Sequence, residues 1–326
     1  MRHLFARWLL ILALLPAGAV WAQDAEVFML GRTQVQFAGL PAAKAALAAE
    51  DVWTAATSDF QRAATMGVTG PVAPERFREH LANAAVAWTP PQQERWRKAL
   101  AALAPKFEAL RVPLPAQVLL VQTNGTDAAN APYTRANVVF LPAGLRTPHT
   151  DAELMAHELF HIVTRYDPAL ATRLYAELGF ESAGELAWPA QWLPARIANP
   201  DAPHSGHFMT VEMDGKPAAV MPLLVARRTT LNPGETFFHV LDVRLLAIEP
   251  GTHGRPSRAV TGAEGQPRWM PAQSARQYLA RLGGNTSYIF HPEETAADNF
   301  AFLVSGRPVP NPQLLQRLEA VFLAPR

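Results

Sequence analysis

The sequence predicts an α+β fold, on three observations. Residues 41–110 consist of helix-forming stretches separated by proline and glycine breaks. Residues 205–250 read as antiparallel strands around an Asp214-Gly215 hairpin turn. Between them, an apolar helical stretch carries His157-Glu158-Leu159-Phe160-His161.

The first 22 residues read as a signal peptide. Arg2 and Arg7 form a basic start, Trp8 to Leu15 is an apolar core, and Val20-Trp21-Ala22 places small residues before a cut at Gln23. The apolar run is too short for a comfortable membrane span, and no second one follows. The expectation is an exported protein, periplasmic or secreted, with no stable membrane span after cleavage. Loss of Arg2 and Arg7 leaves 27 basic against 28 acidic residues, from 29 and 28 in the full chain. That balance offers no surface for nucleic acid. The chain has no cysteine, which excludes disulfides, thiolate metal sites and a cysteine nucleophile.

The mature chain divides into a mainly helical N-terminal region, 23–114, and a region from 115 to 326 holding the motif and the β-rich stretch. Residues 24–38 are expected to form one or two short strands. An alanine-rich helix is predicted over 41–65, then proline-led helices over 74–87 and 91–110. Trp88, Trp96, Leu100, Leu103, Phe107 and Leu110 are their core positions. Strands are expected over 117–122 and 136–141, the second a candidate edge for pairing with an extended peptide. A helix over 168–178, an ordered loop over 186–204, strands over 207–213, 218–226 and 237–248, and helices over 272–282, 292–304 and 312–322 complete the reading.

The chemistry concentrates on the H-E-x-x-H pattern. Thr150 and Glu153 form a capping-box pair at the start of its helix, and Asp167-Pro168 ends it. Four residues apart, His157 and His161 share one helix face and can bind one zinc ion, with Glu158 beside them as base. Two histidines and a glutamate in so apolar a helix would be costly without partners. With no cysteine, the third ligand must be His, Asp or Glu, leaving one position for water. Glu294 and Asp298, four apart in a helix begun at Pro292, can serve together: one binds the metal, the other accepts a hydrogen bond from a ligating histidine. Glu181, 20 residues after His161, is the alternative in a weaker helical context. Glu293 is a lesser one, and the Glu293-Glu294 pair could also serve the helix dipole alone.

These residues resemble the gluzincin branch of zinc metallopeptidases. H-E-x-x-H followed by helical E-x-x-x-D is its pattern, and Glu294-x-x-x-Asp298-x-Phe300-x-x-Leu303-Val304 is similar to the third-ligand helix of thermolysin-like enzymes. The resemblance implies a zincin-like catalytic core with the β-rich stretch inserted, and Zn2+ held by His157, His161 and Glu294. It also implies Glu158 as general base, Asp298 supporting His157, and a peptide or protein substrate. It covers two short helices. Thermolysin itself has its third ligand at the spacing of Glu181, whereas 132 residues separate His161 from Glu294. Tyr288, His291, His204 and His207 are donors available to a reaction oxyanion, none favoured by spacing. Two other readings share the motif: a non-catalytic cell-envelope binding or assembly protein, and a zinc amidase acting on a non-protein amide.

Overall fold

Two hairpins frame the chain. The computed structural model describes residues 27–252, 254–262 and 264–325; the signal segment lies outside them. The first hairpin, β1 (Val27–Leu30) with β2 (Thr33–Phe37), turns at Gly31 with φ 60°. Helices α1 (Leu40–Ala48), α2 (Val52–Ala56), α3 (Asp59–Met66), α4 (Pro74–Asn83) and α5 (Pro90–Ala109) follow. The chain then returns as β3 (Gln117–Thr123), β4 (Tyr133–Arg135) and β5 (Val138–Pro142). These strands make a mixed sheet ordered β1-β2-β3-β5-β4, in which β2, β3 and β5 run parallel.

The structure departs from the single helix expected over 41–65 and from the expected strand edge. The alanine-rich stretch is three helices, because Asp51 caps α2 through the Thr54 amide and Ser58 caps α3 through the Gln61 amide. Each cap rotates the chain out of the preceding helix. The strand expected as a peptide-pairing edge, β5, lies inside the sheet between β3 and β4. The edge is β4, where the Thr134 amide already donates to Asp201 Oδ1 at 2.7 Å.

Beyond the sheet come α6 (Asp151–Tyr166), α7 (Pro168–Glu177), and the two-residue strands β6 (Glu181–Ser182) and β7 (Leu186–Ala187). The β-rich stretch forms, except that residues 237–240, expected as the start of its third strand, make a 3-10 turn before it. β8 (His207–Met213) and β9 (Lys216–Ala226) are joined by Asp214-Gly215, both at positive φ (54° and 76°), which suits a two-residue hairpin turn. β10 (Leu241–Glu249) extends the sheet, and β11 (Ser257–Ala259) and β12 (Trp269–Pro271) both pair with it. The order is β6-β8-β9-β10-β11-β7. Helices α8 (Arg276–Arg281), α9 (Pro292–Ser305) and α10 (Pro312–Leu323) close the chain. The architecture is α+β. Among the described residues, no helix is long and apolar enough to cross a membrane.

The main core joins α5, α6, α9 and α10. Phe300 of α9 is fully buried, with its ring 5.5 Å from Phe107, 5.3 Å from Phe160 and 5.2 Å from Phe322. This aromatic packing fixes α9 against α6. Every residue from Glu153 to Thr164 on α6 and from Pro292 to Phe302 on α9 is buried. Helices buried all round must satisfy their polar side chains within the protein; these two pair with each other at His157–Asp298 and His161–Glu293 and otherwise use flanking loops.

Candidate metal centre

α6 starts as the capping box requires. Thr150 Oγ1 accepts from the Glu153 amide at 3.1 Å, and Glu153 Oε2 accepts from the Thr150 amide at 3.0 Å. Asp151 pairs with Arg95 of α5. α9 starts at His291, whose Nδ1 accepts from the Glu293 amide, with Pro292 in the first turn. The two starts fix the position of each motif along its helix.

The histidines face α9. His157 Nε2 lies 3.3 Å and His161 Nε2 3.8 Å from Glu294 Oε2. The rings sit 4.8 Å apart at 82°. Each Nδ1 is held from behind by a carboxylate of α9: His157 by Asp298 at 2.8 Å, His161 by Glu293 at 2.7 Å. Such bonds set the tautomer and direct both Nε2 lone pairs to one point. The carboxylates are held in turn. Thr286 donates to Asp298, Tyr175 and Thr164 donate to Glu293, and Asn199 Nδ2 donates to Glu294 Oε1 at 2.5 Å.

The arrangement fits a cation. His157, His161 and Glu294 are buried with one donor atom each, all within 4.8 Å of one another, and can hold a metal ion. His161 Nε2 is buried without a hydrogen-bond partner, directed into the same space. Buried polar atoms are rarely left so. The charges agree. Burial opposes the charged form of His161, but Asp201 and Glu294 outweigh it and raise the imidazole to about 8. Burial likewise opposes a charged His157, and Asp298 with Glu294 overcomes it, raising it well above the usual range. Burial would raise Glu294; the two imidazoles outweigh it and hold it near 2. The protein's own balance is therefore two imidazolium protons against the carboxylates. A divalent cation supplies the same two charges and frees both Nε2 lone pairs to bind it.

Glu158 is 2% exposed, and its Oε2 has no hydrogen-bond partner. Burial, then the charge of Asp201, pushes its carboxyl up to about 8. With His157, Glu294 and Tyr288 it lines a cavity of about 450 Å3, whose walls include Trp53, Ile197, Leu224 and Phe237. Of Tyr288, His204, His207 and His291, Tyr288 alone lines this cavity, its ring 5.9 Å from His157. His204 faces Glu185 at 3.3 Å on the surface. His207 packs on Tyr175, and burial lowers it to about 4. His291 is used as the helix cap, and burial lowers it to about 3. Glu181 is exposed on β6, paired with Phe208, away from the cluster.

The sequence points to Glu293 only as a lesser ligand or a dipole charge, not as the partner of His161 Nδ1, and carries no sign of Asn199 or Asp201. The two supporting carboxylates are expected to act alike. Asp298→Asn and Glu293→Gln should each weaken metal affinity by about 10- to 100-fold, read by competition with a chelating dye. An unchanged affinity in both would deny them that role.

No protein-family model matches the chain, and neither a curated protein nor a solved structure matches it.

Proposed function

We propose that the protein is an exported zinc-dependent metallopeptidase with a zincin-like core, hydrolysing peptide bonds with Glu158 as general base. One observation carries the reading. Two anchored imidazoles and Glu294 converge on a point beside Glu158, whose free Oε2 belongs to the wall of an apolar cavity. Two imidazoles and one carboxylate are the donor set of zinc peptidases, and this set favours zinc over the oxygen-seeking Mg2+ or Ca2+. The base beside the donors favours hydrolysis over a structural site, which has no use for one. The basic start and short apolar run of residues 1–22 support export.

Zinc, when bound, polarises the scissile carbonyl and makes water acidic near neutral pH. Glu158 takes a proton from the attacking water on Oε2 as the new C–O bond forms. It gives that proton to the leaving nitrogen as the C–N bond breaks, so the base is regenerated. Tyr288, on the cavity wall, can donate its hydroxyl hydrogen to the oxyanion. Trp53, Ile197, Leu224 and Phe237 exclude water and offer apolar contact to a substrate side chain.

The test is metal content followed by hydrolysis. The chain from Gln23 is expected to purify with, or take up, close to one zinc per molecule, and to cleave internally quenched peptides only when loaded. Failure to bind zinc after reconstitution would overturn the reading and favour a binding protein of the cell envelope. Loaded protein that cleaves non-protein amides and no peptide would move the substrate class instead.

A further inference from the structure

We propose that Asp201 is a fourth protein ligand of the metal centre. The inference rests on the reading that His157, His161 and Glu294 hold a metal. Asp201 Oδ1 lies 4.0 Å from the partnerless Nε2 of His161, nearly the same distance as Glu294 Oε2 at 3.8 Å. Donors of a tetrahedral zinc at 2.0–2.1 Å stand about 3.3 Å apart. Glu294 and Asp201 stand at similar distances from that nitrogen, but Asp201 lies outside the group of His157, His161 and Glu294 and must move further to join their shell. His161, Glu158 and Asp201, the first two buried and Asp201 half-buried, form a second cluster with donor atoms within 4.8 Å of one another, sharing His161 with the first.

The loop around Asp201 is built for a fixed position. Ala198 is clamped by Trp53 Nε1 and by both ends of the Gln61 amide, at 2.8–3.0 Å. Asn199 bonds Glu294 with Nδ2 and accepts the Asp201 amide on Oδ1. Arg165 donates to the Asp201 carbonyl at 3.0 Å. The Thr134 amide and hydroxyl both donate to Asp201 Oδ1 at 2.7 Å. Ligating carboxylates are supported in this way from outside the coordination sphere. A carboxylate that served only to anchor the loop would have no reason to face Glu158 and Glu294, two further acids, in a buried space. Like charges at such range are unfavourable unless a cation lies between them.

The consequence is chemical. Two imidazoles and two carboxylates neutralise a divalent ion and fill a four-coordinate shell, the arrangement of a closed site. Turnover then requires either a fifth position or release of the Asp201 carboxylate. The same loop covers the β4 edge through Thr134, so Asp201 couples access to the metal with access to the strand edge.

The deciding experiment compares wild type, Asp201→Asn, Asp201→Glu and Asp298→Asn. Zinc affinity is measured by chelator competition, and the visible spectrum of the cobalt(II)-loaded proteins reports the coordination shell. Asp201→Asn is expected to weaken zinc binding by more than about 100-fold, beyond the range for a supporting residue such as Asp298. Its cobalt band should shift and change intensity, while Asp201→Glu recovers part of both and Asp298→Asn keeps the wild-type band shape. A cobalt band in Asp201→Asn identical to wild type overturns the inference, whatever the affinity, and leaves the three-ligand centre standing. A wild-type protein that binds neither ion overturns the centre itself, and the fourth ligand with it.

Discussion

Glu158→Gln is expected to keep the metal and lose the reaction. Glutamine has nearly the shape of glutamate, so the packing of a 2% exposed side chain on α6 survives. It cannot accept the proton of the attacking water. A positioned general base contributes about 10^2- to 10^4-fold, and kcat should fall by that factor or more. Metal content should stay at one per chain, because neither His157 nor His161 hydrogen-bonds Glu158. Zinc affinity should fall only modestly: removing one acid from a space shared with Asp201 and Glu294 relieves their mutual repulsion in the empty form and takes one negative charge from beside the cation, but removes no donor. Stopped assays at saturating peptide, with metal analysis on the same sample, separate the two properties. Loaded Glu158→Gln with wild-type kcat would remove Glu158 from the chemistry.

The residues of the site were legible in the sequence where spacing within one helix encodes geometry. His157 and His161, and again Glu294 and Asp298, are four apart, and a helix turns that spacing into a shared face whatever lies around it. Choosing Glu294 over Glu181 depended on local helix quality, and the structure places Glu181 on a short exposed strand instead. Glu293 was harder, because an acid in a first helical turn already has a reason to be there. Only the packing of Thr164 and Tyr175 around its carboxylate reveals the bond to His161. Asn199 and Asp201 had no sequence signal at all. They lie on an irregular loop whose path is dictated by Trp53 and Gln61, about 140 residues away along the chain. The same limit explains the sheet. The strand expected over 136–141 forms over Val138–Pro142, but a three-residue neighbour, β4, is too short to announce that it occupies the edge.

Zinc is expected to stabilise the wild-type protein and Glu181→Ala, but not Glu294→Ala. A ligand that binds only the folded state adds about 4.1 kcal/mol at 1,000 times its Kd. For a chain of this size that is on the order of 8 °C in Tm, at about 2 °C per kcal/mol. Glu294 supplies the carboxylate oxygen nearest both Nε2 atoms, at 3.3 and 3.8 Å, so its removal should abolish most of that increment. Glu181 touches none of them, and its variant should keep all of it. Taking the zinc-dependent shift within each variant cancels whatever the substitution does to the metal-free fold. The shift should also depend on pH with a defined sign. His161 carries its proton up to about 8, and zinc must displace that proton to reach Nε2. Zinc affinity, and with it the shift at fixed zinc, should therefore rise from pH 6 through about 8, and keep rising while His157, held well above the usual range, still carries its proton. An equal shift in Glu294→Ala and wild type, or its loss in Glu181→Ala, would place the third ligand elsewhere. A shift that falls as pH rises would mean that zinc is not meeting the imidazoles.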